Sequence, residues 1–164
     1  MTTLDPSASA APPSLEFVME VHVDVAAAVE LGNTHGYARR VVPIIGGNFA
    51  GPTLEGKVLA LGEDWQFTRP DGVVVLHARY VLETEQGERI AVENRGFRHG
   101  RVDLAARIEA GEPVPPSEYY FLTRPVFETA SPALQWMTRT VFIGKAERQT
   151  RSVVLQVWAV DIRT

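Results

Sequence analysis

His77 and Arg79 stand two residues apart in the run Val73–Thr84, whose remaining positions are largely β-branched or apolar. On a strand that spacing puts both side chains on one face, about 6.6–7 Å apart along the chain. A guanidinium neighbour disfavours the imidazolium, so His77 is expected to be neutral and able to accept a proton. Arg79 would then orient an anionic or carbonyl oxygen. Tyr119-Tyr120 gives one phenol to each face of a later strand, and Tyr120 or Asn94 could donate a hydrogen bond to developing charge. Asn94 shares a face with Ile90 and Val92, so its amide should point inward and need partners. Asp64 and Trp65 sit at a strand start, where Asp64 either faces a pocket mouth or caps a turn. The chemistry expected of this set is cofactor-free proton transfer, with His77, Arg79 and Tyr120 catalytic. Asp64, Trp65, Tyr80 and Asn94 would contact the substrate. The alternative for His77 is a hydrogen-bonded core or interface histidine.

Other chemistries are disfavoured by composition. The 164 residues include no cysteine, which removes disulfides, thiolate nucleophiles and zinc–thiolate sites. The four histidines (His22, His35, His77, His99) show no spacing that sets two ligands on one face, so no metal is expected. Ile44–Pro52 is glycine-rich, but it lacks the Lys-Ser/Thr of a phosphate loop and opens no helix, so it reads as a bulge and turn at a barrel corner. With 16 basic against 20 acidic residues and a net charge of −4, no nucleic-acid footprint is expected. The basic stretch Arg95–Arg101 reads as a solvated loop or an anchor for one substrate carboxylate. No apolar run reaches the ~18 residues of a membrane span.

The elements that must position these residues are almost all strands. Residues 1–13 are small, polar and proline-bearing, and are expected to form a disordered tail; with no secretory signal or cysteine, a cytoplasmic home is the default. From Ser14 the period becomes two, over Ser14–Asp24, Tyr37–Ile45, Glu55–Leu61, Trp65–Thr68, Val73–Thr84, Arg89–Phe97, Tyr119–Phe127, Met137–Gly144 and Ser152–Ile162. Helical spacing is confined to Val102–Ala110, stopped by Gly111 and three prolines, with one further helical turn at Ser131–Gln135. Eight or nine strands without a βαβ rhythm predict an all-β chain, one antiparallel barrel over residues 14–164. In Val73–Thr84 both faces carry large side chains. One face in a core and the other in a lined cavity or an oligomer interface would account for that.

The run His35–Pro52 resembles the signature of a bacterial and fungal domain-of-unknown-function family, number three-two-three-seven. Asp64-Trp65-Gln66, Arg69–Gly72, Ala78-Arg79-Tyr80, Asn94-Arg95-Gly96, Ser117–Phe121, Pro125–Thr129 and Trp136 match it in order and spacing. The resemblance implies a small lipocalin-like barrel, commonly self-associating, and hence a homo-oligomer. It also adds Leu122, Trp136 and Thr138 to the substrate-binding candidates. The family pattern has aspartate, arginine and asparagine where this chain has His77, Leu122 and Thr138. If those positions line the pocket, this member's pocket is less polar and its base is a histidine titrating near neutrality.

The expected function is thus a cofactor-independent enzyme of lyase, isomerase or cyclase type, acting on a small, partly hydrophobic molecule inside the barrel. The alternative is a non-catalytic carrier of a small molecule.

Overall fold

The computed structural model describes residues 11–162. Most of the expected tail, residues 1–10, lies outside the described residues, and 11–14 carry no regular structure. Nine strands follow: β1 (Leu15–Val25), β2 (Val29–Thr34), β3 (Tyr37–Ala50), β4 (Glu55–Thr68), β5 (Val74–Thr84), β6 (Arg89–Gly100), β7 (Tyr119–Glu128), β8 (Phe142–Arg148) and β9 (Ser152–Val160). The helix α1 (Leu104–Glu109) connects β6 to β7. Sheet order is β1-β9-β8-β7-β6-β5-β4-β3-β2, with β1 also paired to β3. That additional pairing closes β1 and β3–β9 into an eight-stranded antiparallel barrel, while β2 flanks the outer half of β3.

Closure depends on a bend in β3. Its first half pairs with β2 and its second half with β1, and its register against β4 breaks between Pro43 and Asn48. Gly46 and Gly47 fall in that break, with φ of 145° and 132°. A Cβ on Gly47 would lie 1.9 Å from the carbonyl oxygen of His22 on β1, so the strands meet there only because no side chain intervenes. The glycine-rich stretch is thus a barrel corner inside one continuous strand.

The two ends differ. The 3-10 segment Pro132–Arg139, between β7 and β8, buries Leu134 and Met137 into the core. It replaces the expected strand start at Met137, because Pro132 and the absence of period-two alternation favour a helical turn. Here Phe127 and Phe142 meet edge to face at 4.9 Å, and Met19, Leu82, Ile90 and Val157 are fully buried. Burying each such side chain stabilises the fold by about 1.5–3 kcal/mol. At the opposite end of β7, α1 lies over an opening and the interior stays hollow.

Other boundaries moved. Glu55–Leu61 and Trp65–Thr68 form one strand, β4, carrying a register break between Val58 and Gly62. The exposed β2 alternates only briefly, at Val29 and Leu31, before Gly32 and Asn33 end the pattern, too short a run to reveal it. In β1 a bulge between Phe17 and Met19 changes phase, leaving Leu15 exposed while Met19, Val21 and Val23 face the core.

Candidate functional site

The hollow end of the barrel encloses a cavity of about 620 Å³, within the range typical of small-molecule sites. Strand alternation decides what faces it. On β5 the inward set is Val74, Leu76, Ala78, Tyr80 and Leu82. The odd-numbered side chains, His77 and Arg79 among them, stand on the outer wall. The Nε2 of His77 lies 3.1 Å from the Glu93 carboxylate, itself paired with Arg95, and Arg79 is exposed in a shallow external groove. The placement expected of His77 and Arg79 is therefore corrected: the mixed face of this strand is its outer one, where charged groups pair in water.

The same parity sorts the other candidates. Trp65 is exposed and bonds Glu63 outside, Tyr120 stacks on His99 at 4.8 Å, and Leu122 faces outward opposite Phe97 and Lys145. Trp136 packs against Phe142 at the closed end, and exposed Thr138 donates its hydroxyl to the carbonyl of Gln135. None of these five lines the cavity. The three departures from the family pattern, His77, Leu122 and Thr138, thus lie outside it, and the expected loss of pocket polarity does not follow from them. Asp64, Tyr80 and Asn94 do line it.

The polar lining is richer than expected. Four arginines (Arg40, Arg98, Arg148, Arg151) and two acids (Asp64, Glu109) face the cavity, amid a mainly apolar wall that includes Val42, Ile44, Leu76, Phe121 and Leu155. Sequence reasoning passed over Arg40, Gln66, Thr123 and Arg148, and took in Arg98 only within Arg95–Arg101, read as a solvated loop or an anchor for one substrate carboxylate. One signal was available: once β6 extends to Gly100, parity from Asn94 turns Arg98 inward while Arg95 and His99 stay outside.

Asp64 is held from two sides. Its Oδ2 accepts from Gln66 Nε2 at 2.6 Å, and its Oδ1 accepts from the backbone N–H of His77 at 3.1 Å. His77 therefore reaches the site only through its main chain. The accessible area left to Asp64 opens onto the cavity rather than bulk water. Burial pushes its carboxyl up to about 6, although the Gln66 hydrogen bond, the Arg98 charge, the His77 N–H and the Arg40 charge all favour the ionised form. Tyr80 is buried nearby, and desolvation together with the Asp64 charge raises its phenol, which stays protonated at neutral pH. Gln66 accepts from Arg40 Nε at 2.9 Å, and Arg40 also reaches Glu109 of α1 at 3.2 Å. A continuous polar chain thus runs from Asp64 to the helix at the mouth.

Arg98 is only 4% exposed, and none of the hydrogen bonds or ion pairs among the described residues engages its guanidinium, which lies 5.6 Å over the Phe121 ring. Burial first, then the charges of Arg40 and Arg148, push it down to about 10. It is still a cation at neutral pH. Among the described residues no group of three or more His, Cys, Asp or Glu side chains is placed to hold a metal ion.

The family model described as "Protein of unknown function (DUF3237)" matches residues 13–160. The chain belongs to this family. A DUF3237 relative from Rhodopseudomonas palustris strain TIE-1, a UPF0311 protein, is 44% identical over 134 residues, covering 82% of this chain and 86% of its own. A solved structure from Acinetobacter baumannii, described as beta-barrel like, superposes with TM-score 0.81 at 35% identity, over 94% of this chain and 99% of that one. An enzyme from Penicillium herquei shares the fold with TM-score 0.71 at 19% identity, over 94% and 98% of the two chains. The barrel expected from the strand pattern is therefore the family's fold. No helix among the described residues is long and apolar enough to cross a membrane.

Proposed function

We propose that the protein is a cofactor-independent enzyme in which Asp64, not His77, exchanges a proton with a small organic substrate inside the barrel. The observation that carries this reading is a carboxyl facing a cavity that opens at one end of the barrel and poised near pH 6. Proton transfer is most efficient when the group's pKa lies near the working pH. Ionised Asp64 removes a proton from a carbon or hydroxyl acid of the substrate and returns it at another atom, giving isomerisation, cyclisation or elimination. Tyr80, protonated and buried beside it, donates a hydrogen bond to the charge that develops on oxygen. That a barrel of this shape is found in an enzyme from Penicillium herquei supports the reading at the level of fold only.

The test is solvent-proton exchange. A panel of aryl ketones and aryl-substituted acids is incubated in D2O with the wild type and with Asp64→Asn, and deuterium uptake is followed by NMR. Exchange with at least one member is expected, falling on the order of 100-fold or more in the variant. Exchange unaffected by Asp64→Asn rejects the role given to it. The mainly apolar wall favours a second reading, a carrier, which would bind panel members and return them unlabelled.

A further inference from the structure

Among the described residues, three buried polar side chains on the neighbouring strands β6 and β7 carry groups without a hydrogen-bond partner, and all three line the cavity. Asn94 and Arg98 point inward from β6, four residues apart, and Thr123 on β7 lies opposite the intervening Gly96. Asn94 and Thr123 are each only 8% exposed, and neither Asn94 Oδ1 nor Thr123 Oγ1 has a hydrogen-bond partner. Thr123 fits this position because both of its cross-strand neighbours, Gly96 and Gly144, lack side chains. A Cβ on Gly96 would lie 2.6 Å from Thr123 Cγ2, and one on Gly144 2.3 Å from Thr123 Oγ1.

Leaving such groups unmade is expensive. A buried donor or acceptor without a partner has lost its bonds to water and gained none in return, and the cost is larger when the group is charged. The two donors among the three, the Arg98 guanidinium and the Thr123 hydroxyl, lie on adjacent strands beside a cavity and are accounted for by an acceptor on a ligand that satisfies them together. The other lining charges are engaged elsewhere among the described residues, except Arg151, which is exposed in the turn between β8 and β9. Arg40 bonds Gln66 and Glu109, Arg148 donates to the carbonyl of Ser152, and Asp64 is held by Gln66 and the His77 N–H. With four arginines against two acids, the lining carries a surplus of 4 − 2 = 2 positive charges even when both acids are ionised.

We propose that Arg98, Asn94 and Thr123 form a carboxylate-binding subsite, and that the ligand is an organic monoacid whose apolar body fills the rest of the cavity. The guanidinium fork suits the two oxygens of a planar carboxylate and the threonine hydroxyl donates to one of them, while the asparagine amide joins the shell through its NH2, its oxygen being an acceptor that a carboxylate cannot satisfy. A phosphate dianion would call for a second free cation buried beside the first, whereas the other guanidinium of the wall without a partner among the described residues, Arg151, is exposed in the turn between β8 and β9. The subsite deepens the proton-transfer reading by naming the substrate class, and rests on it only for what happens after binding.

Asp64 titrates in the same cavity, facing Arg40 of β3, Tyr80 of β5, Arg98 of β6, Arg148 of β8 and, through Arg40, Glu109 of α1. Its ionisation adds a negative charge near the bound acid. Carboxylate affinity should therefore fall as pH rises through about 6 in the wild type, and stay level in Asp64→Asn.

The experiment is calorimetric titration of the full chain at pH 6 with 2-naphthoate, its neutral isostere 2-naphthamide, and inorganic phosphate. We expect naphthoate to bind at least tenfold more tightly than the amide. Arg98→Met should erase that preference without weakening the amide. Thr123→Val, nearly isosteric and so expected to keep the fold, should lower naphthoate affinity several-fold, and Asp64→Asn should keep or tighten it. Equal affinities for acid and amide, no naphthoate binding, unchanged binding in both Arg98→Met and Thr123→Val, or tighter binding of phosphate would each overturn the subsite. Naphthoate bound by Asp64→Asn while proton exchange is independent of Asp64 would sink the catalytic reading and leave the subsite standing.

Discussion

Asp64 holds a proton more tightly in the folded chain than in the unfolded one, and this has a thermodynamic consequence apart from any catalysis. Its carboxyl stands at about 6 in the barrel against 3.8 when free. Between those values the folded protein keeps a proton that the unfolded chain has released, so stability falls as pH rises from about 4 to about 6. The difference of 2.2 units corresponds to roughly 2–3 kcal/mol, allowing for the water that the cavity admits. The carboxylates of Glu20, Glu83, Glu93 and Glu112, held below their usual range chiefly by hydrogen bonds to His22, Arg89, Arg95 and Arg107, act the other way. Their contribution is present above the unfolded value and lost as pH falls. It cancels when the wild type is compared with Asp64→Asn. Urea melts of both proteins from pH 4 to 7 should therefore show the variant gaining on the wild type across that window, and a constant difference would place Asp64 in an ordinary aqueous setting.

Among the elements, β3 and β6 illustrate what a sequence conveys and what it withholds. Period-two alternation located most strands, because a closed barrel gives each one an apolar inner face. It conveyed parity less well. In β5 the odd-numbered face mixes valines with a histidine and an arginine, which read as a lined cavity or an oligomer interface, although pairing with Glu93 in water makes an outer position cheap for His77. The arginines of the cavity come from three strands and the turn between β8 and β9, and no local pattern joins Arg40 and Arg98 to Arg148 and Arg151. Only closure brings them together. Closure in turn rests on the β3 corner, and Gly47→Ala tests it. The new methyl would meet the β1 main chain, at a φ that side chains rarely adopt, for a loss of roughly 2–4 kcal/mol. A loss below ~1 kcal/mol in denaturant melts would mean that β1 and β3 have room to separate.

For the molecule as a whole, the barrel wall divides two electrostatic environments. Outside, Glu93 pairs with Arg95 and bonds His77, and Glu83 pairs with Lys57 and Arg89; such surface pairs are worth little individually and are screened within about 10 Å at ordinary salt. Inside, Arg98 and Asp64 influence each other through a poorly screened interior. If that division governs the site, removing outer charge should leave the inner carboxyl almost untouched. In a His77→Ala, Arg79→Ala, Tyr120→Phe triple variant the Asp64 midpoint, read by carbon-detected NMR titration, should stay within about half a unit of the wild-type value. Arg98→Met should do the opposite: it withdraws a cation that favours the ionised form, so the midpoint rises above 6. A large shift in the triple variant with none in Arg98→Met would mean that the outer wall, not the cavity, sets the charge state of Asp64, and would return His77 and Arg79 to the chemistry.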